Sequence, residues 1–193
     1  MEQLVNTGND ETDETLMARV PRERDVFGVL IERYEARLRR YLKRFMPGLA
    51  EEVDDVLQEV FIKAYVNAHG FDPALSFSSW VYRIAHNEAV TWLRKRKARP
   101  ETVELGDDEC TTFLVSMEAA HETTETHLAK DAVARALAHM SEKYRTVLVL
   151  RFLEEKSYDE IGDILEVPGG TVATFVHRAK KEFSRIYATH HAR

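Results

Sequence analysis

Residues 157–181 read SYDEIGDILEVPGGTVATFVHRAKK, and the fold turns on how that stretch is parsed. Ser157 followed three residues later by Glu160 fits a capping box: the serine side chain takes a backbone N–H and the glutamate reaches back. Ile161, Ile164 and Leu165 then give a short helix its inner face. Glu166-Val167-Pro168-Gly169 forces a turn, after which Thr171 to Tyr187 restarts the helix, with Val172, Val176, Ala179 and Phe183 spaced four, three and four apart. A capped short helix, a tight turn and a longer basic helix make a helix-turn-helix pattern. Short helix pairs also occur in ordinary bundles, so the pattern needs support from the rest of the chain.

Working outward, Leu128 to Met140 reads as one helical stretch. Ser141 is placed to cap the next, which runs through Tyr144, Val147, Leu148 and Leu150 to Leu153. Upstream lies the strip Glu101–Thr126, with 8 acids and no Lys or Arg. Self-repulsion and a high threonine content make it a flexible linker. Within it, Phe113–Val115 and Met117 either dock on a partner or stay loosely packed, and Cys110 is either a redox sensor or inert.

The first half repeats the helical signature. Val26, Phe27, Leu30, Ile31, Tyr34, Leu38, Tyr41, Leu42 and Phe45 recur at three- and four-residue steps until Pro47-Gly48. A second run holds Val53, Val56, Leu57, Val60, Phe61, Ala64 and Tyr65; after the loop at 69–73, a third holds Phe77, Trp80, Val81, Ile84, Ala85, Ala89 and Trp92 and ends in Arg94-Lys95-Arg96-Lys97. Nothing alternates with period two long enough to be a strand. The expected fold is all-α: two small helical domains, at 25–99 and 127–189, joined by a flexible acidic linker at 100–126 and preceded by a disordered acidic N-terminus at 1–24.

The net charge of −6 argues at first against a nucleic-acid partner, but its distribution reverses that. Residues 26–100 carry 9 acids and 13 bases, residues 127–193 carry 9 acids and 11 bases, and the excess acid sits in the N-terminus and the linker. The lone cysteine excludes an intrachain disulfide and a Cys-based zinc site, and none of the 8 histidines stands in an H-E-x-x-H motif. No triad, metal cluster or phosphate loop points to an enzyme, and no metal or cofactor is expected. No apolar run approaches the ~20 residues of a membrane span. Met1 to Glu14 has neither the basic start nor the apolar core of a secretory signal. A cytoplasmic protein that neither inserts in a membrane nor acts on a small molecule is expected.

Three constellations carry chemistry. On the last helix Thr171, Thr174, Phe175, His177, Arg178, Lys180 and Lys181 fall outside the apolar stripe. Residues near the helix start would reach base edges, while Arg178, Lys180 and Lys181 would meet phosphates. A merely solvated basic face has the same composition. Phe175 is unusual there and would touch either a thymine methyl or a protein partner. In the first block aromatic and basic residues interleave: Trp80 and Trp92 lie on the apolar stripe, whereas Tyr82, Arg83, His86 and Asn87 fall off it and are the candidates for stacking on unpaired bases. Asp54, Asp55, Gln58 and Glu59 form an acidic-amide face that either meets a basic partner helix or reflects the polarity usual at a helix N-terminus.

These residues carry a resemblance. Asp55-Val56-Leu57-Gln58-Glu59-Val60-Phe61, then Phe77 through Asn87 (FSSWVYRIAHN), then Gly170-Thr171-Val172 with His177-Arg178-Ala179, are similar to the sigma-70 family, and within it to the compact extracytoplasmic-function group that keeps only regions 2 and 4. The resemblance spans about residues 25–99 and 127–187. It implies an alternative sigma factor whose partners are core RNA polymerase, promoter DNA and an anti-sigma protein. By position, Asp54, Asp55, Gln58, Glu59 and Ile62 would dock on the clamp helices of the largest polymerase subunit, and region 4 would meet the flap of the second-largest. Phe71, Ile84 and Asn87 match positions near the pocket for a base flipped from the −10 element, with Tyr82, Arg83 and His86 beside them. Capture would offset an unstacking cost of ~a few kcal/mol. Arg94, Lys95, Arg96 and Lys97 match the basic end that holds the strand or duplex. Gly170, Thr171, Ala173, Thr174, Phe175, His177, Arg178, Lys180 and Lys181 match the helix that enters the −35 major groove. One departure stands out: members commonly carry a Lys-Ser-Arg run where this chain has Ala173-Thr174-Phe175. At ~0.9 of salt slope per phosphate contact, the lost cations imply weaker or altered −35 binding. Two further readings remain at this level: a free-standing helix-turn-helix regulator, which leaves the first block unused, and a sigma-like decoy that titrates a regulator, favoured only by that departure.

Overall fold

The computed structural model describes residues 11–98 and 132–191, all helical or loop, with no strand among them. Among the described residues eight helices follow one another: α1 Asp13–Arg19, α2 Val26–Phe45, α3 Val53–Val66, α4 Phe77–Ala98, α5 at 132–138, α6 Glu142–Leu148, α7 Tyr158–Leu165 and α8 Gly169–His191. A single 3-10 turn, Ala68–Gly70, separates α3 from α4, and a π turn, Val149–Leu153, continues α6. The linker residues Phe113–Val115, Met117 and Cys110 lie outside the described residues, as do Met1 to Asp10.

The N-terminal segment corrects one expectation. Residues 11–24 are ordered, because Thr12 caps α1 through the Thr15 N–H at 3.3 Å and Leu16, Met17 and Val20 are buried. That spacing is a one-sided apolar face on a two-turn helix, hidden in the sequence by the acids around it. Asp13 and Glu14 are not solvated charge either: Asp13 accepts from Arg33 at 2.6 Å and from the Tyr34 hydroxyl at 2.5 Å, and Glu14 accepts from the Phe77 backbone N–H at 2.9 Å. Glu14 thereby caps α4 from another element, satisfying one of the donors every helix start leaves open.

In the first unit α2 is the central rod. Its stripe Phe27, Leu30, Tyr34, Leu38, Tyr41, Leu42 and Phe45 is buried against α3 and α4. Aromatic rings fix the geometry of α4: Tyr34 meets Phe77 edge-on at 5.1 Å, and Phe71 meets Phe77 at 5.9 Å and Trp80 at 5.2 Å. Such pairs add ~0.5–1.5 kcal/mol each beyond their buried area.

In the second unit the capping box forms as read, with Ser157 Oγ accepting from the Glu160 N–H at 3.1 Å and Glu160 accepting from the Ser157 N–H at 2.8 Å. Ser141 occupies the cap position of α6, but its side chain does not accept a helix N–H. Its own backbone N–H donates to Glu182 on α8 at 2.8 Å, a tertiary contact that the local reading could not contain. The turn between α7 and α8 closes when the Val167 N–H reaches the Gly162 carbonyl at 3.0 Å, with Glu166 left-handed at φ 54°. α8 starts at Gly169, two residues before the expected restart.

The two units do not stand apart. α7 and the π turn of the second pack on α2 and α4 of the first, and one continuous set of buried apolar residues runs through both.

Candidate nucleic-acid interface

The helix α8 is built to present one face. Val172, Val176 and Ala179 are buried against α6 and α7, which leaves Gly170, Ala173, Thr174, His177, Arg178, Lys180 and Lys181 exposed and Thr171 half-buried. Thr174 turns its hydroxyl back to the Gly170 carbonyl at 3.2 Å, so its methyl rather than its donor faces outward. Phe175 is not on the open face. Its ring is half-buried at the edge of α8 with Lys143 Nζ 3.6 Å from the centroid, so its neighbour is α6 of its own chain. Lys180 covers the Phe152 ring at 4.9 Å, but Phe152 stays half exposed.

Gly162, which the sequence reading passed over, sets the angle between α7 and α8. A Cβ at this position would lie 2.8 Å from the Val167 carbonyl oxygen, a backbone atom that cannot step aside. Only the tertiary approach of the two helix ends makes this glycine special, so periodicity gave no sign of it.

The face of α4 differs from the expectation. Tyr82, read as lying off the apolar stripe, is 2% exposed: it packs at 5.3 Å on Tyr41 and is covered by the second unit. His86 is drawn inward as well, with Nδ1 3.2 Å from the Tyr41 hydroxyl and its ring edge-on to Phe45 at 5.2 Å. Burial, helped by the nearby Arg94 charge, lowers its pKa to about 4, so this imidazole is neutral at pH 7. Phe71 is buried among Phe77 and Trp80. Ile84 is half-buried, and Arg83 Nη1 lies 3.2 Å from Glu166 of the second unit. Of the α4 residues chosen from the sequence, Asn87, Arg94 and Lys95 are exposed. Arg96 is half-buried, paired with Glu52 at 2.9 Å and set over the Trp92 ring.

On α3, Asp54, Asp55, Gln58, Glu59 and Ile62 are all exposed on one side. Arg39 reaches Asp54 from α2. Tyr65 and Val66, which the sequence reading assigned to the core or left aside, extend this surface: Ile62 is 47% exposed and Val66 68%. Next to it a shallow groove between α3 and α4 is lined by Asp55, Glu59, Lys63, Glu88, Trp92 and Lys95. Among the described residues no group of acids, histidines or cysteines is arranged to hold a metal, and no helix is long and apolar enough to cross a membrane.

An acidic-apolar helix, a basic-aromatic helix and a helix-turn-helix in that order are the parts of a known family. The family model described as Sigma-70 region 2 matches residues 30–99, and the one described as Sigma-70, region 4 matches residues 130–183. The chain belongs to the sigma-70 family. Curated relatives place it in the extracytoplasmic-function (ECF) group. The ECF RNA polymerase sigma factor SigW of Bacillus subtilis (strain 168) is 33% identical over 166 residues, spanning 82% of this chain and 87% of its own. The ECF RNA polymerase sigma-E factor of Escherichia coli (strain K12) is 31% identical over 176 residues, spanning 88% and 91%. In fold, this sigma factor is similar to CnrH, solved in complex with the cytosolic domain of CnrY, at TM-score 0.68 and 22% identity over 93% of this chain and 99% of that one. It is also similar to the sigma factor RpoE of Bartonella quintana, solved with the anti-sigma factor NepR, at TM-score 0.64 and 19% identity over 83% and 95%. This ECF sigma factor binds RNA polymerase and promoter DNA; α3 and α4 lie in the stretch matched as region 2, and α8 begins in the stretch matched as region 4.

Proposed function

We propose that this chain is an alternative, non-enzymatic initiation factor that reads a −35 element with α8 and holds the opened −10 strand with α4. The exposed side of α3, from Asp54 to Ile62 with Tyr65 and Val66, is the surface for the polymerase clamp helices. Region 4 meets the flap. Arg178, Lys180 and Lys181 neutralise phosphates beside the major groove, and Thr171, Ala173 and Thr174 approach the bases. In region 2, Asn87 is the one residue of the expected reading set that stands free in solvent on α4, and it presents the amide that would hydrogen-bond an extruded base. The protein works in the cytoplasm beside the polymerase and is held in check by an anti-sigma protein.

The observation that carries this reading is the coexistence, on one chain, of an open basic face on α8 and an open acidic-apolar face on α3. A simple repressor needs the first and has no use for the second. Run-off transcription with core polymerase, on a promoter selected from a random −35/−10 library, tests it. Transcripts should depend on the protein and should fall with Asn87→Ala or Gln58→Ala. Polymerase binding without transcripts would indicate a decoy instead, and no polymerase binding a free-standing regulator.

A further inference from the structure

The second unit is fastened to the first by a carboxylate set into a cleft. Glu154 follows the π turn, and its side chain is 3% exposed. One carboxylate oxygen accepts from Arg44 Nη1 at 2.8 Å and the other from the Tyr82 hydroxyl at 2.8 Å. Arg44 Nη1 also donates to the Leu153 carbonyl at 3.0 Å, while its Nε is buried without a partner. At the next position of α4, Arg83 faces Glu166, whose side chain is 68% exposed, and keeps a buried, unpartnered Nε of its own. At the same junction Asp159 and Asp163 join Glu166 around a cavity that Arg83 also lines. One acidic edge of region 4 thus lies along cationic and phenolic donors of region 2, in the place the sequence assigned to a nucleic-acid strand.

We propose that Arg44 and Tyr82 form a phosphate cradle on region 2, that Glu154 fills it while the two units are closed, and that a backbone phosphate of the promoter strand replaces this carboxylate when the units separate. Naming that strand rests on the function proposed above; the cradle itself is a matter of donors. Guanidinium and phenol groups that hold a carboxylate hold a phosphate by the same charge-assisted bonds. The spare Nε–H donor of Arg44 is what a phosphate, with more acceptor oxygens, would engage and the Glu154 carboxylate leaves empty. A buried ion pair across such a contact adds little net adhesion, because desolvation offsets the attraction. It specifies the closed arrangement and still allows exchange. Arg44 lies on α2, outside every residue the sequence reading chose for DNA.

Two substitutions that break the same ion pair separate the cradle from a purely structural latch. The full chain is titrated with a fluorescein-labelled oligothymidine over about 50–200 mM salt, and its radius of gyration is followed by small-angle scattering. Glu154→Gln should expand the protein and tighten strand binding. The gain is ~ten-fold if the closed form outweighs the open one by ~ten to one, since the competent fraction scales the apparent affinity. Arg44→Ala combined with Glu154→Gln leaves no buried charge unpaired, so it folds, and it should be equally expanded. Its binding should nonetheless fall below that of Glu154→Gln alone, with the salt slope smaller by ~0.7 for the lost contact. Equal affinity and equal slope in the two variants would overturn the cradle. A Glu154→Gln protein as compact as the parent, with the parent's affinity, would overturn the latch. Failure of the parent to support run-off transcription would count against the sigma reading alone, because the oligothymidine titration needs no polymerase.

Discussion

Arg178, Lys180 and Lys181 on α8 stand in solvent, while Tyr82 and Arg83, chosen on α4 by similar reasoning, are engaged by the other half of the chain. Both helices offer the same kind of surface: a cationic and aromatic face opposite an apolar stripe. Because the inner face of α8 is supplied by the adjacent helices α6 and α7, periodicity separated inside from outside there for each of these cations, though not for Phe175. On α4 it failed for two reasons: Tyr82 and His86 pack on Tyr41 and Phe45 of α2, and what further covers Tyr82 arrives from about 70 residues away, the separation of Tyr82 and Glu154. Local pattern reports where the apolar stripe of a helix lies; it says nothing of polar aromatic residues drawn in beside that stripe or of a second bundle that docks on the remaining side.

The largest way to break this contrast is to destroy one of its two sides. Gly162→Ala drives a methyl group against the Val167 carbonyl, so α7 and α8 must part. A cost of about 1–3 kcal/mol is expected, as for other overpacked sites. Thermal denaturation should show the second unit melting earlier, and a −35 footprint should disappear while Asn87 and the α3 face remain in place. An unchanged footprint would mean that the angle between the two helices does not matter for groove entry.

His86 tests the other side. An unfolded imidazole titrates near its ordinary pKa of 6.5, and the folded one only near about 4. Between those values the unfolded chain holds more protons, so stability rises with pH through that window: the contribution is complete above 6.5 and lost as pH falls toward 4. Its size is about 2 kcal/mol once partial contact with water is allowed for. Urea denaturation at a series of pH values should show the slope, and His86→Gln should flatten it by that amount relative to the parent. Equal slopes would place the ring in solvent, where the sequence reading had it.

The sequence made the all-helical class, the capping box and the inner stripe of α8 legible because each rests on contacts within a few residues. The core of α1 was not legible: two turns with three apolar residues give too little periodicity to stand out from five acids in the first fourteen residues. Ser141 misled for a related reason. Its residue type suits a cap, and only the approach of Glu182 shows that the serine is used across the fold instead. Tyr65 and Val66 were hidden because apolar residues at helical spacing look the same whether they face a core or an absent partner.

A smaller effect sharpens the contrast between open and engaged cations. Arg178→Ala should reduce the salt slope of duplex binding by the free chain by ~0.9, the value of one phosphate contact. Arg83→Ala should leave that slope unchanged in the free chain, since its guanidinium is turned to Glu166, and should weaken only the complex formed with polymerase on melted promoter. If both substitutions lower the free-chain slope equally, the two units are already apart in solution.

The smallest expected effect concerns Phe175, the residue whose role was open between DNA and protein. The ring is half-buried at the edge of α8 and lies under the Lys143 ammonium at 3.6 Å, a cation–π contact worth ~0.5–1 kcal/mol where solvent still reaches it. Phe175→Leu keeps the apolar packing and gives up the quadrupole, so the second unit should lose about 0.5 kcal/mol in denaturant unfolding. The −35 preference selected from a random library should be unaltered. Lys143→Met, which removes the cation and keeps the stem, should cost the same amount, and the double variant no more than either single one, because the two residues then share a single interaction. A shift in the selected −35 sequence at a thymine with Phe175→Leu would instead mean that the ring leaves Lys143 on DNA binding, and the departure at Ala173-Thr174-Phe175 would be a specificity feature and not a matter of packing.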